Sequence, residues 1–274
     1  MSVRTRRIII AGALAAFMAA GVLAVGHLRL WWAPDPPRDP NALVLRVRFT
    51  AGMGPAGARP VPDLSLYGDG RLIVTSLDLD RMPARELVRD MRLTDRAYRE
   101  IYRDARLAGL GDARVIKSDV QVLDGGSTKI TLLANGRPRV TTLESGAAGP
   151  RVWLIDQLLK RLALGKSKGE PSRSDLIGPA RPYQPTRIAL LAHEVPKNDT
   201  GTASQTSPAP QIRPWPLHSL SPGACTLHAG SEAATIGQLL ESAPKTHWAS
   251  QSRHYALTAR PLLPDETDCA SLPR

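Results

Sequence analysis

The chain has 274 residues, of which 42% are hydrophobic, 22% charged and 4% aromatic, a balance that supports one or two small folded domains and excludes wholesale disorder. Its 36 Lys and Arg against 25 Asp and Glu leave a formal charge of +11, which favours polyanions, anionic membranes or acidic polymers as neighbours without naming one. With 22 Gly and 24 Pro many connections are irregular, which disfavours a continuous helical bundle or coiled coil.

Arg4, Arg6 and Arg7 precede a charge-free run from Ile8 to Gly26. As a helix rising about 1.5 Å per residue, that run nearly matches a hydrocarbon core of about 30 Å. Trp31 and Trp32 follow Arg29 and suit the headgroup level, and the three arginines favour a cytoplasmic N-terminus. The expectation is a signal-anchor or transmembrane segment over 1–29, a single-pass topology, and an extracellular C-terminal region. Cleavage is the alternative, since Ala24 and Gly26 put small residues where a signal peptidase reads; the apolar stretch is longer than a usual signal h-region, which favours retention. Thr5, Arg6 and Arg7 before three isoleucines partly match a twin-arginine export signal, and that route also ends outside the cytoplasm. No Cys precedes Cys225, which excludes a lipid-modified N-terminal cysteine.

Residues 30–42 hold Pro34, Pro36, Pro37 and Pro40 and read as an extended spacer between the membrane and the folded part. Leu43, Leu45, Val47 and Phe49 alternate with Val44, Arg46 and Arg48, the period of a strand with one covered face. Leu64 to Tyr67 and Leu72 to Thr75 flank Gly68, Asp69 and Gly70, which suit a hairpin turn. Residues 85–93 fit either a strand or a helical turn, because Leu87, Met91 and Leu93 satisfy both spacings. Thr94 can cap a helix carrying Ala97, Tyr98, Ile101, Tyr102 and Ala105 on one face, with Gly109 just past its end. Thr128 to Ala134 and Arg137 to Leu143 surround Asn135 and Gly136, a strong hairpin signal. Val152, Ile155, Leu158, Leu159 and Leu162 form an apolar helical stripe.

This order makes 43–164 an α+β domain of antiparallel hairpins and packed helices. A basic linker is expected over 165–181, then a C-terminal α/β region over 182–274. Within that region lie a strand at Arg187 to Ala192, a flexible 196–214 insertion, a helix from Glu232 to Ala243 capped by Ser231, and a strand from Arg253 to Arg260. The only cysteines, Cys225 and Cys269, are too few for a Cys-only zinc site. They read as a disulfide that stabilises the C-terminal segment by about 4 kcal/mol in an oxidising compartment, with two buried free thiols as the alternative.

The run Pro62, Asp63, Leu64, Ser65, Leu66, Tyr67, Gly68, Asp69, Gly70, Arg71 and the helix opened by Leu93 and Thr94 resemble a group of uncharacterised exported proteins of actinobacteria. So does the ending Arg260, Pro261, Leu262, Leu263, Pro264, Asp265, Glu266 before Cys269, with Thr246 and Trp248 upstream. The resemblance covers most of residues 43–270 and implies export; it carries over no catalytic or binding residue.

Several motifs fail on context. Gly52, Gly54 and Gly57 spell a dinucleotide fingerprint with Asp78 downstream, but Pro55, Pro60 and Pro62 oppose the helix whose N-terminus would face a pyrophosphate. Gly165, Ser167 and Gly169 mimic a nucleophile elbow after a helix rather than a strand. Lys166 and Ser167 mimic a phosphate loop, yet Lys160 stands where its first glycine is required. Ser242 and Lys245 mimic an acylase pair interrupted by Pro244.

His27, His193, His218, His228, His247 and His254 lack the spacing of a local metal site, although His218, His228, His247 and His254 could converge in the fold. Arg85, Arg89, Arg92, Arg96, Arg99, Arg103 and Arg106 would align on a continuous helix as a stripe attractive to headgroups or anionic wall polymers. The simpler expectation is a solvated face with pairs such as Asp95 with Arg99 and Arg96 with Glu100.

The residues thus predict no cofactor, metal or catalytic constellation and no nucleic-acid partner. They point to a membrane-anchored binding or structural module of the cell envelope, with an exported hydrolase assembled only in the fold as the alternative.

Overall fold

A computed structural model describes residues 34–50, 61–78, 85–120, 122–162, 171–196, 211–223, 225–243 and 246–269. The apolar N-terminal run, the 52–57 glycines, the 165–169 motif, Lys245 and His27 lie outside these residues. Among the described residues no helix is long and apolar enough to cross a membrane.

The architecture is α+β, built on two mixed sheets. The first contains β1 (Leu43–Thr50), β2 (Leu64–Tyr67), β3 (Arg71–Asp78), β4 (Arg85–Arg92), β5 (Arg114–Ile116), β6 (Ser127–Ala134), β7 (Arg137–Glu144) and β8 (Arg181–Pro182), in the order β5-β7-β6-β1-β2-β3-β4-β8. Among the described residues only the β5–β7 pair is parallel there. The 85–93 ambiguity resolves as strand, because Arg85–Arg92 pairs antiparallel with β3 along its whole length. The arginine run therefore divides between a strand and the helix that follows, so no single stripe forms.

That helix, α1 (Asp95–Leu107), starts where the Thr94 side chain accepts a hydrogen bond from the Ala97 N–H, and it buries Ala97, Tyr98, Ile101, Tyr102 and Ala105. With α2 (Pro150–Arg161) it covers one face of the first sheet, where Val47, Leu64, Leu66, Leu72, Ile130 and Leu132 form the main core. Arg161 ties the two helices together by donating to Glu100 at 2.7 Å and to Asp104 at 3.1 Å. Asn135 and Gly136 turn the β6–β7 hairpin with φ of 53° and 70°, the left-handed pair such a turn requires.

The second sheet contains β9 (Arg187–Val195), β10 (Gln211–Pro214), β11 (Cys225–Ala229), β12 (Thr246–Ser250) and β13 (Arg253–Pro261), in the order β10-β12-β13-β9-β11. Helix α3 (Gly230–Ser242) buries Ala233 and Ile236 in a core with Ile188, Leu190, Trp215, Trp248 and Tyr255. Trp215 and Trp248 meet edge to face, ring centroids 5.3 Å apart. Ser231 does not cap this helix: Ala229 holds the cap position without a side-chain bond, because the helix begins two residues earlier than expected, at Gly230 with φ 58°.

Two expected connections carry structure. The end of the basic linker forms a short 3-10 turn, Arg173–Asp175, and lies along the start of α1: the Thr94 N–H donates to the Asp175 carbonyl and the Ile177 N–H to the Arg92 carbonyl. The end of the 196–214 insertion supplies β10, parallel to β12.

The C-terminal turn joins the two sheets. Leu263 packs with Val61, Tyr67 and Ile73 on the face of the first sheet opposite its helices. The Tyr183 hydroxyl donates to the Leu262 carbonyl at 2.6 Å. Cys225 and Cys269 form a disulfide with Cα atoms 6.2 Å apart, which fastens this segment to edge strand β11.

Candidate functional site

Three regions gather polar chemistry. The first lies at the join between the sheets. Alternation along β1 puts Arg46 and Arg48 on the face away from the helices. Arg46 donates to Ser65 at 3.2 Å and to Asp265 at 2.8 Å, and Asp265 also accepts the Tyr67 hydroxyl at 2.7 Å. Arg260 is buried, paired with an equally buried Glu266 that also accepts the Leu263 N–H at 2.9 Å. The Arg260 Nε and Nη1 are buried without a partner. Burial, then repulsion from Arg46 and Arg260, pushes the Arg48 guanidinium below its ordinary value. Burial, then the Asp265 charge, pushes the Tyr67 phenol far up. The cluster acts as an ionic fastener between sheets.

The second region is the edge formed by β11 and the start of α3. Thr226 and His228 are two apart on a strand and so share a face. Glu232 stands in the first turn of the following helix. Thr226 Oγ1 lies 2.9 Å from His228 Nε2, and His228 Nδ1 lies 3.2 Å from Glu232 Oε1. With the Nδ1–H tautomer the imidazole donates to Glu232 and offers Nε2 as an acceptor to the Thr226 hydroxyl, whose one proton also has the Leu190 carbonyl as an acceptor at 3.4 Å. His218 Nε2 sits 3.8 Å from the same carboxylate. The four C-terminal histidines therefore converge only in part: His247 and His254 lie on β12 and β13, while His218 and His228 share Glu232. Among the described residues no group of three or more His, Cys, Asp or Glu is arranged to hold a metal ion.

The third region surrounds the β2–β3 turn. The last part of the Pro-rich segment lies against the domain: Pro36 is buried, the Tyr98 hydroxyl donates to the Pro37 carbonyl, and Arg38 pairs with Asp95 and lies 5.6 Å from the Tyr98 ring centroid. Gly68 is required at this contact, since a Cβ there would stand 2.1 Å from the Asp39 carbonyl oxygen. A cavity of about 340 Å³ opens beside it, lined among others by Arg38, Asp69, Arg92, Asp95, Tyr98 and Ile177. The Arg38 hydrogen bond holds the Asp95 carboxyl below its usual range. Of the ion pairs expected on the helix, Asp95 with Arg99 forms at 2.6 Å and Arg96 with Glu100 at 3.9 Å.

A larger depression of about 750 Å³ is lined by Ser118, Asp119, Ser127 and Glu144, among others. Glu144 there accepts the Ser118 N–H at 3.1 Å, which closes a turn.

No family model matches the chain, and neither the curated proteins nor the solved structures contain a significant match. Sequence reading pointed at the turn and at the C-terminal histidines. It missed the roles of Thr226 and Glu232, although their spacings of two and four from His228 are a usable local signal. It also missed the Arg46, Tyr67, Arg260, Asp265 and Glu266 network, which no local signal could reveal.

Proposed function

We propose that the chain is a binding or structural module of the cell envelope, held to the membrane by its N-terminal helix with the N-terminus in the cytoplasm and the folded region outside. The observation that carries this reading is the Cys225–Cys269 disulfide, a bond that persists in oxidising compartments and is rare in the cytosol. The apolar run from Ile8 to Gly26, the arginines before it and the resemblance to exported actinobacterial proteins support the same topology. The formal charge of +11 favours an anionic lipid or wall polymer as the bound component. Photo-crosslinking in intact cells, followed by carbonate washing of membranes, tests it. The expected result is a carbonate-resistant chain with lipid or wall-polymer adducts above those of an unrelated exported domain; a chain that washes off, or one with background adducts only, contradicts it.

One observation favours a second reading, an exported hydrolase. Thr226, His228 and Glu232 have the contacts of a nucleophile, a general base and the carboxylate that orients the base. In that role the Thr226 hydroxyl attacks an acyl carbon, its proton passes to His228 Nε2 and on to the leaving group as the scissile bond breaks; water, giving its proton to His228, then attacks the acyl–Thr226 ester, and that proton returns to Thr226 Oγ1 as the carboxylic acid leaves. A fluorophosphonate or β-lactone probe should label Thr226 and should fail on Thr226→Val; absence of an adduct on Thr226 removes this reading.

A further inference from the structure

The turn that leaves α1 gathers three guanidinium groups. Gly109 closes the helix at φ 78°, and the next residue, Leu110, is buried in the main core. Parallel pairing of β5 with β7 fixes the chain again from Arg114 onward, so the turn is anchored at both ends. Glycine at 109 and 111 leaves room for side chains arriving from elsewhere. Arg151 Nε and Arg114 Cζ lie 3.8 and 4.0 Å from the point a Gly109 Cβ would occupy, so they converge on one spot from α2 and from β5. Arg106 lays its guanidinium on Gly111, with Nη1 2.8 Å from the corresponding point.

Charge is not balanced at this turn. Its carboxylate, Asp112, pairs with Arg114 at 2.8 Å and is 78% exposed. Asp104, two residues before Arg106, is engaged by Arg161. Among the described residues Arg106 and Arg151 have no ion pair. The C-terminal end of α1 offers little compensation, since the Asp104, Ala105 and Arg106 carbonyls already accept the Ala108, Leu110 and Gly109 N–H groups. The start of α2 adds positive character: Gly149 makes no side-chain cap bond and the first turn holds no acidic residue. Two donors are left over, because Arg106 Nη1 and Arg114 Nε are buried without a partner, a condition that favours an added acceptor. Arg151 is exposed, which keeps the cluster open to solvent on its side.

From this we infer that the 109–114 turn and the start of α2 bind a phosphoryl group, held by Arg106, Arg114 and Arg151. Each guanidinium presents paired N–H donors that match phosphate oxygens. A tetrahedral phosphoryl group takes donors from several directions, whereas a carboxylate offers its two oxygens in one plane. The α2 N-terminus contributes the favourable end of its dipole, and Asp112 competes with the ligand for Arg114. The site needs only the first sheet and its two helices, so it stands whether or not the chain is anchored to a membrane.

Hydrogen exchange of the full chain in mild detergent, titrated with inorganic phosphate against chloride at matched ionic strength, tests this. Exchange in 109–114 and 149–153 should slow with phosphate only. Arg151→Gln, at an exposed position, should raise the Kd for phosphate by at least about tenfold with unchanged circular dichroism. Asp112→Asn should lower the Kd, an effect that a damaged fold does not produce. Lys160→Gln, near the far end of the same helix and 61% exposed, should leave it unchanged. Equal protection in chloride, an unchanged Kd in Arg151→Gln, or a loss in Lys160→Gln as large as in Arg151→Gln overturns the inference. Glycerol 3-phosphate and poly(glycerol phosphate) in place of inorganic phosphate distinguish the source. Tightest binding by the monoester assigns a terminal phosphate, by the polymer an internal phosphodiester, and by inorganic phosphate the free ion, each weakened by Arg151→Gln.

Discussion

Glu266 is the most consequential single position for the join between the two sheets. Its side chain is 1% exposed and that of its partner Arg260 is 7% exposed, and Arg260 has two further nitrogens buried without an acceptor. Replacing Glu266 by Leu leaves a whole guanidinium buried and unpaired, an event that costs about 3–5 kcal/mol when one partner of a buried pair is removed. It also removes the acceptor of the Leu263 N–H, which loosens the turn that holds Leu263 against Val61, Tyr67 and Ile73. Arg260→Met with Glu266→Leu removes both charges, and with them the opposing effects of Arg260 and Glu266 on Arg48. That double variant should be from about equal to the parent to about 4 kcal/mol more stable. Urea titration of the full chain in mild detergent, read by near-ultraviolet circular dichroism, gives both values and the coupling between the sites. A single variant costing less than about 1 kcal/mol, the range of exposed pairs, refutes the reasoning, as does a double variant no more stable than the single.

Other perturbations bear on other parts of the account. Gly68→Ala should force the Asp39 backbone away and cost about 1–3 kcal/mol, detected as faster exchange at 36–39; unchanged exchange there would mean that the 36–39 segment is not seated on the turn. Arg161 and Arg96 hold the Glu100 carboxyl below its usual range, the Arg161 hydrogen bond foremost. A lowered folded pKa gives stability that is present above the ordinary carboxylate value and lost as pH falls through the folded one. Acidification below about pH 4 should therefore loosen the α1–α2 contact, and Glu100→Gln should blunt that acid response. The Tyr183 phenol is pushed up to about 12 by burial, so the stability it contributes is present below pH 10 and lost as pH rises through about 12; Tyr183→Phe should remove this alkaline component of a pH melt. Cys225→Ser should cost about 4 kcal/mol in the chain-entropy estimate and free the C-terminal segment from β11, measured as earlier proteolysis between Leu262 and Cys269.

How much of this was legible in the sequence depended on how local the cause was. Helix α1 could be read because its cap, its apolar spacing and its terminating glycine lie within a few turns of one another. The β6–β7 hairpin could be read because Asn135 and Gly136 state their own backbone angles. Residues 85–92 could not be assigned, since Leu87 and Met91 fit either period and only pairing with β3 decides between them. Strand β10 was invisible because its side chains are exposed and it contributes backbone hydrogen bonds to an edge, so it carries no apolar pattern. The cap of α3 was misplaced because Ser231 suits an N-cap, whereas Gly230 lets the helix begin first. The join between the sheets was beyond sequence reading: Arg46 and Tyr67 reach Asp265 across 219 and 198 residues, and nothing near either end announces the other. The convergence of the histidines near Cys225 stops at two, His218 and His228, on Glu232.

The central claim, that the folded region resides outside the cytoplasm, is tested most directly by thiol labelling of the native chain in its own cells. A membrane-permeant alkylating reagent is applied before lysis, and the mass of the chain is compared with and without prior reduction. The account predicts no label on Cys225 or Cys269 until the chain is reduced, and both labelled afterwards, in material recovered with the membrane. Both cysteines labelled without reduction, on a chain recovered from the soluble cytosol, would contradict it.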